Sequence, residues 1–119
     1  MSCLFDSLSA FQNISSPQLR IQICDYLDKN PEIAGSTAKD IVKWQTDMDL
    51  HNYTSMMRKD AWGGAIEIKA YCDIYETNVL VKLPIHKREI EFISDRKSLR
   101  WVCISWTGNH FQVYNTLNL

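Results

Sequence analysis

The sequence predicts an α+β fold in which helices pack on a small, mostly antiparallel sheet. Apolar residues recur at helical spacing through the first part of the chain and then switch to strict alternation. Helices gathered before strands, rather than interleaved with them, belong to α+β and not to a doubly wound sheet.

Leu4, Leu8 and Phe11 form one apolar stripe on a short helix that starts at or just after Cys3. Asn13 to Ser16 is a polar break. Ser16-Pro17 reads as a helix start, with serine capping the orphan N–H groups and proline tolerated in the first turn. That helix buries Leu19, Ile23, Tyr26 and Leu27, and Asn30-Pro31 stops it. Gly35-Ser36-Thr37 opens a third helix to about Met48, and a short fourth runs from Leu50 to Arg58. Trp62-Gly63-Gly64 breaks the chain before a helix with Ile66, Ala70 and Ile74 on one face. Val79, Val81 and Leu83 then alternate as far as Pro84, and Ile90 and Phe92 alternate with Glu89 and Glu91. After the polar turn Asp95 to Ser98, the run Trp101 to Trp106 is apolar on both faces and reads as a central strand. Gly108-Asn109 is a tight-turn pair, and Phe111 and Val113 resume the alternation.

The 119 residues suit a single domain over 1–119, without repeat, low-complexity tract or linker. Hydrophobic residues at 45% and charged residues at 23% argue against disorder or a coiled coil. Thirteen basic and fourteen acidic residues leave a formal charge of −1, against the basic excess of a nucleic-acid binder. No apolar run approaches the roughly 18 residues of a membrane span, and Asp6 interrupts the early apolar stretch that a signal peptide would need. The expectation is a cytoplasmic monomer with no nucleic-acid or membrane partner.

The four cysteines, Cys3, Cys24, Cys72 and Cys103, lack the close spacing of a zinc or redox pair, so no metal and no cofactor is expected. Buried cysteine is ordinarily a small hydrophobe. Cys3 differs, because it alone sits at a predicted helix start, where the field favours thiolate. Its base would be a histidine distant in sequence and near in space. His51 and His86 read as solvated surface residues, whereas His110 follows Gly108-Asn109 and opens the last strand. On residues alone, the pair is either catalytic or coincidental.

Cys3-Leu4-Phe5-Asp6-Ser7-Leu8-Ser9 resembles the cysteine box of the ovarian-tumour (OTU) family of deubiquitinating cysteine proteases. Leu19-Arg20, then Tyr53, Met56 and Trp62-Gly63-Gly64-Ala65-Ile66-Glu67, resembles its middle block, and His110-Phe111 resembles its histidine box. The motifs keep the family's order over nearly the whole chain, which is as short as compact viral members. The resemblance implies a papain-like OTU fold and an isopeptidase acting on ubiquitin or a ubiquitin-like modifier. Cys3 would be the nucleophile and His110 the general base, and the N–H of Cys3 and of the loop before it would bind the oxyanion. Trp106 would be either core of the central strand or a wall of the channel for the ubiquitin tail, with Gly108 and Asn109 beside it as substrate-binding residues. Trp62 is expected to fill core, Gly63 and Gly64 to allow a close-packed helix start, and Glu67 to support that turn.

Two positions depart from the family pattern. Gln112 stands where Asp or Asn usually follows the histidine by two. It shares a strand face with His110 and could orient the ring through its amide oxygen; otherwise the site is a bare dyad, takes its third member from elsewhere, or uses Asn109. The family's Asp-Gly loop also precedes the cysteine, where this sequence has Met1 and Ser2. The chain is then either cut from a longer protein or carries an incomplete oxyanion loop. The alternative functions are a non-catalytic OTU-like module that binds ubiquitin or another protein, and a structural domain with no site.

Overall fold

The computed structural model describes residues 2–114. Helices α1 (Cys3–Ser9), α2 (Ser16–Asp28), α3 (Ala38–Thr46), α4 (Leu50–Lys59) and α5 (Ala65–Tyr75) precede a sheet of β3 (Asn78–Leu83), β4 (Arg88–Phe92), β5 (Trp101–Trp106) and β6 (Phe111–Val113). A two-residue pair, β1 (Glu32–Ile33) and β2 (Ser36–Thr37), sits between α2 and α3. The strand order is β4-β3-β5-β6, with β3 and β5 parallel and the outer pairings antiparallel. The fold is thus α+β, and Trp101–Trp106 is an inner strand. Among the described residues no helix is long and apolar enough to cross a membrane.

Several local expectations shift by a residue or a face. The cap of α2 is Ser15 rather than Ser16: its Oγ accepts from the Gln18 N–H at 3.3 Å, and Gln18 Oε1 accepts from the Ser15 N–H at 2.9 Å. This reciprocal box explains why the helix starts there. The β1–β2 pair is too short to show a period of two, and its turn is set by Gly35 at φ +88°. Helix α5 is buried well beyond the Ile66–Ala70 face, since Glu67, Ile68, Tyr71, Cys72 and Asp73 are also enclosed while Ile74 is only half-buried.

The turn from Ala61 to Gly64 fixes the helices to one another. Gly63 lies directly on α1: a Cβ there would fall 2.7 Å from Leu4 Cδ2 and 3.1 Å from Phe5 Cε2. Leu4 and Phe5 are fully buried and cannot swing away. At the far end of the turn, Glu67 accepts from the Gly64 N–H at 2.8 Å and from the Tyr53 hydroxyl at 2.6 Å. Its carboxylate is 1% exposed. Burial raises its pKa above the ordinary 4.5, and the two donors and nearby Arg20 only partly offset this.

Two outcomes follow from this packing. Gly63→Ala should lower stability by about 1–3 kcal/mol, the usual cost of overpacking a filled core. Gly64→Ala, whose Cβ meets nothing within 4 Å, should cost less. Equal urea midpoints for both variants and the parent would contradict the close approach.

Because the folded state holds the Glu67 proton more tightly than the unfolded chain, stability from this group is full below pH 4.5 and is lost as pH rises through the raised value. Glu67→Gln takes no charge; it can accept from the Gly64 N–H and donate its amide to the Tyr53 oxygen. Urea unfolding across pH should therefore show the parent losing stability relative to Glu67→Gln as pH rises. Parallel pH profiles would refute this account of Glu67.

Candidate functional site

Cys3 is the first residue of α1 and is half-buried, while the residues that follow it, Leu4 and Phe5, are enclosed. Its carbonyl accepts from Ser7 Oγ at 2.7 Å. Ser2, in the cap position, makes no side-chain cap bond. The Cys3 N–H belongs to the first turn, whose N–H groups have no intrahelical acceptor. Helix α1 lies against β6.

The turn between β5 and β6 carries His110. Gly108, at φ +105°, supplies the left-handed residue that the reversal needs. Thr107 N–H donates to the His110 carbonyl at 3.0 Å, and Thr107 Oγ1 contacts Asn109 Oδ1 at 3.1 Å. The backbone at His110 is therefore held while its ring is exposed. Trp106 and Phe111 pair across the hairpin, with ring centroids 4.5 Å apart. Together with Ala65, Ile68, Leu83 and Phe92 they line an apolar pocket of about 130 Å³. Trp106 is thus both packed and part of a pocket wall; Gly108 and Asn109 are exposed at the tip.

The fold brings the helix headed by Cys3 beside the strand entered from His110. It does not tie Gln112 to the ring: Gln112 pairs with Ser105, is exposed, and among the described residues no hydrogen bond links Cys3, His110 and Gln112. Such bonds are often long or absent in free enzymes and tighten on substrate. His51 is exposed on α4, and His86 lies in the β3–β4 connection, at the same end of the sheet but in the other hairpin.

The remaining cysteines are held as thiols. Burial raises Cys24 to about 11 and Cys72 to about 12, and Cys103 is raised by the same cause. Cys72 Sγ also donates to the Phe92 carbonyl at 3.6 Å. Among the described residues no group of three or more His, Cys, Asp or Glu side chains is placed to hold a metal ion.

Trp62 overturns an expectation. Its ring is 50% exposed rather than core, and with exposed Met56 it borders a groove lined by Tyr53, Met57 and Ile66. The turn presses its Gly63 backbone onto α1, and the neighbouring indole is left outside. The Leu19-Arg20 motif carries no expected role for Arg20, which donates from Nη1 to the Met57 carbonyl at 2.6 Å and the Ala61 carbonyl at 3.0 Å. The signal was a charged residue between Leu19 and Ile23 on a buried helix face.

Residues 2–113 match the family model described as OTU-like cysteine protease. Among solved structures, an ovarian-tumour domain in complex with ubiquitin is 23% identical with a TM-score of 0.77, over 94% of this chain and 62% of that one. The chain therefore spans less than two thirds of that relative. The viral OTU protease domain from Dera Ghazi Khan virus is 13% identical with a TM-score of 0.69, over 96% of this chain and 76% of that one. A ubiquitin-bound OTU deubiquitinase from Wolbachia pipientis is 20% identical with a TM-score of 0.64, over 98% of this chain and 91% of that one. At these identities the likeness is one of fold. Among curated protein sequences none matches significantly. With the family model matching nearly end to end, and the cysteine and histidine boxes on adjoining elements, the chain belongs to the family of OTU-like cysteine proteases.

Proposed function

We propose that this protein is a cysteine isopeptidase that removes ubiquitin or a ubiquitin-like modifier from an amine, with Cys3 as nucleophile and His110 as general base, acting in the cytoplasm. The observation that carries the reading is the adjacency of α1, headed by Cys3, to β6, entered from His110, in a chain of this family. The ubiquitin bound in two similar structures supports the choice of substrate.

The chemistry takes the form of acyl transfer. His110 accepts the Cys3 thiol proton, and the thiolate attacks the carbonyl carbon of the modifier's C-terminal glycine. The oxyanion forms beside the Cys3 N–H, which has no bonded acceptor among the described residues and where a preorganised donor is most effective. Collapse breaks the C–N bond, the imidazolium returns its proton to the leaving amine, and a thioester remains on Cys3. Water, deprotonated by His110, then attacks the thioester carbon; the C–S bond breaks, the modifier leaves as its C-terminal carboxylate, and Cys3 and His110 recover their starting state. Trp106, Gly108 and Asn109 would flank the incoming tail. Gln112 would orient His110 through its amide oxygen once substrate has closed the site.

A ubiquitin C-terminal electrophile should be captured by the parent and by variants at Cys24, Cys72 or Cys103, but not by Cys3→Ala, as read by intact mass. Capture by Cys3→Ala would overturn the assignment. Saturable ubiquitin binding without capture by the parent would favour the non-catalytic module.

On a fluorogenic ubiquitin amide, His110→Ala should lower kcat by roughly 10²–10⁴-fold, the usual contribution of a general base, with little change for His51→Ala or His86→Ala. Equal losses at His86 and His110 would sink the choice of base. Gln112→Leu should slow turnover while Gln112→Glu holds or raises it, both with unchanged ubiquitin binding. A Gln112→Leu protein as fast as the parent leaves a bare dyad.

A further inference from the structure

We propose that Arg20 is a positioning residue for Cys3: through Phe5 and the Ala61–Gly64 turn it sets where the first turn of α1 lies. The inference rests on reading Cys3 as the nucleophile and identifies what keeps it in line with His110.

Helix α1 has seven residues. A helix this short does not hold itself in place through its own hydrogen bonds, and the Ser2 side chain adds no cap. The position of Cys3 therefore depends on what Leu4 and Phe5 pack against. Both meet the turn at Gly63, where any Cβ would overlap Leu4 Cδ2 and crowd the Phe5 ring.

Arg20, on α2, holds that turn. It is 7% exposed. Its Nη1 donates to the Met57 carbonyl, in the last turn of α4 where carbonyls lack helical donors, and to the Ala61 carbonyl at the entry to the turn. The guanidinium carbon also lies 4.2 Å from the centroid of the Phe5 ring, in cation–π contact. One planar group thus touches the ring that follows Cys3 by two residues and fixes the backbone against which that ring rests. Lysine keeps the charge and most of the stem, but it lacks the planar face and the rigid fork that allow stacking and two-carbonyl donation together. A displacement of about 1 Å at reacting atoms costs on the order of 10²-fold in rate even when its origin is remote.

The test uses the full chain with Arg20→Lys and Phe5→Leu, alone and combined. Two quantities are read: kcat and KM on a fluorogenic ubiquitin amide, and the pH dependence of Cys3 alkylation by iodoacetamide, followed by the mass of the Cys3 peptide. Arg20→Lys should lower kcat by about 10²-fold with KM within about twofold of the parent. It should also lose the alkylation step that His110→Ala removes. The double variant should be no worse than the poorer single, because both act through one contact. An Arg20→Lys protein with a lower Tm but parental kcat and alkylation profile would show a merely structural role and overturn the proposal. Should Arg20→Lys fail to fold, Phe5→Leu decides: reduced kcat supports the proposal and parental kcat overturns it. A parent that never cleaves ubiquitin refutes the proposed function instead; the alkylation comparison still decides the positioning role, supported by an altered profile and overturned by a parental one.

Discussion

The constraint on which the structure most depends is the missing Cβ at Gly63. Only a bare backbone lets the Ala61–Gly64 turn lie on Leu4 and Phe5, and those two side chains set the height of α1. The turn is pinned at both ends, by Arg20 at the carbonyls of Met57 and Ala61 and by Glu67 at the Gly64 N–H. Enclosing a charged carboxylate is costly unless its oxygens are bonded. Here one oxygen takes the Gly64 N–H and the other the Tyr53 hydroxyl, which couples α4 and α5 to the same turn. Three parts of the chain far apart in sequence therefore converge under the helix that carries Cys3.

The sheet supplies the other half of the proposed site. The parallel β3–β5 pairing places the β5–β6 hairpin at the end of the sheet that also holds the β3–β4 connection. The turn needs Gly108 at positive φ and is tightened by Thr107 onto the His110 carbonyl, so the histidine backbone is fixed by the hairpin itself. Burial meanwhile shifts Cys24, Cys72 and Cys103 away from thiolate, which is why the proposed nucleophile is Cys3, half-buried at the first position of a packed helix.

Much of this was legible in the sequence, and the gaps have physical causes. The start of α1 at Cys3, the change of period before Val79 and the Gly108-Asn109 reversal are local signals, and each appears where expected. The β1–β2 pair carries no readable period at two residues a strand. Ser15 and Ser16 compete for the same cap, and only Gln18, three residues after Ser15, breaks the tie. An indole beside two glycines suggests core, but the exposure of Trp62 follows from the glycine contact next to it, which no periodicity reports. The support Glu67 gives the turn is local and was expected, since it accepts from the Gly64 N–H three residues before it. Its Tyr53 partner lies 14 residues away and the Met57 partner of Arg20 lies 37 away, beyond any local signal. At the proposed site, α1, headed by Cys3, adjoins β6, which begins just after His110, whereas the strand-face argument for Gln112 does not by itself produce a bond to the ring.

The most direct measurement is a crystal structure of the protein after reaction with a ubiquitin C-terminal electrophile. The account predicts a thioether on Cys3 Sγ, the His110 imidazole within hydrogen-bond reach of that sulfur, and the Gly63 turn still seated on Leu4 and Phe5. An adduct on Cys103, or a Cys3 adduct with the His110 ring turned away from the sulfur, would contradict it.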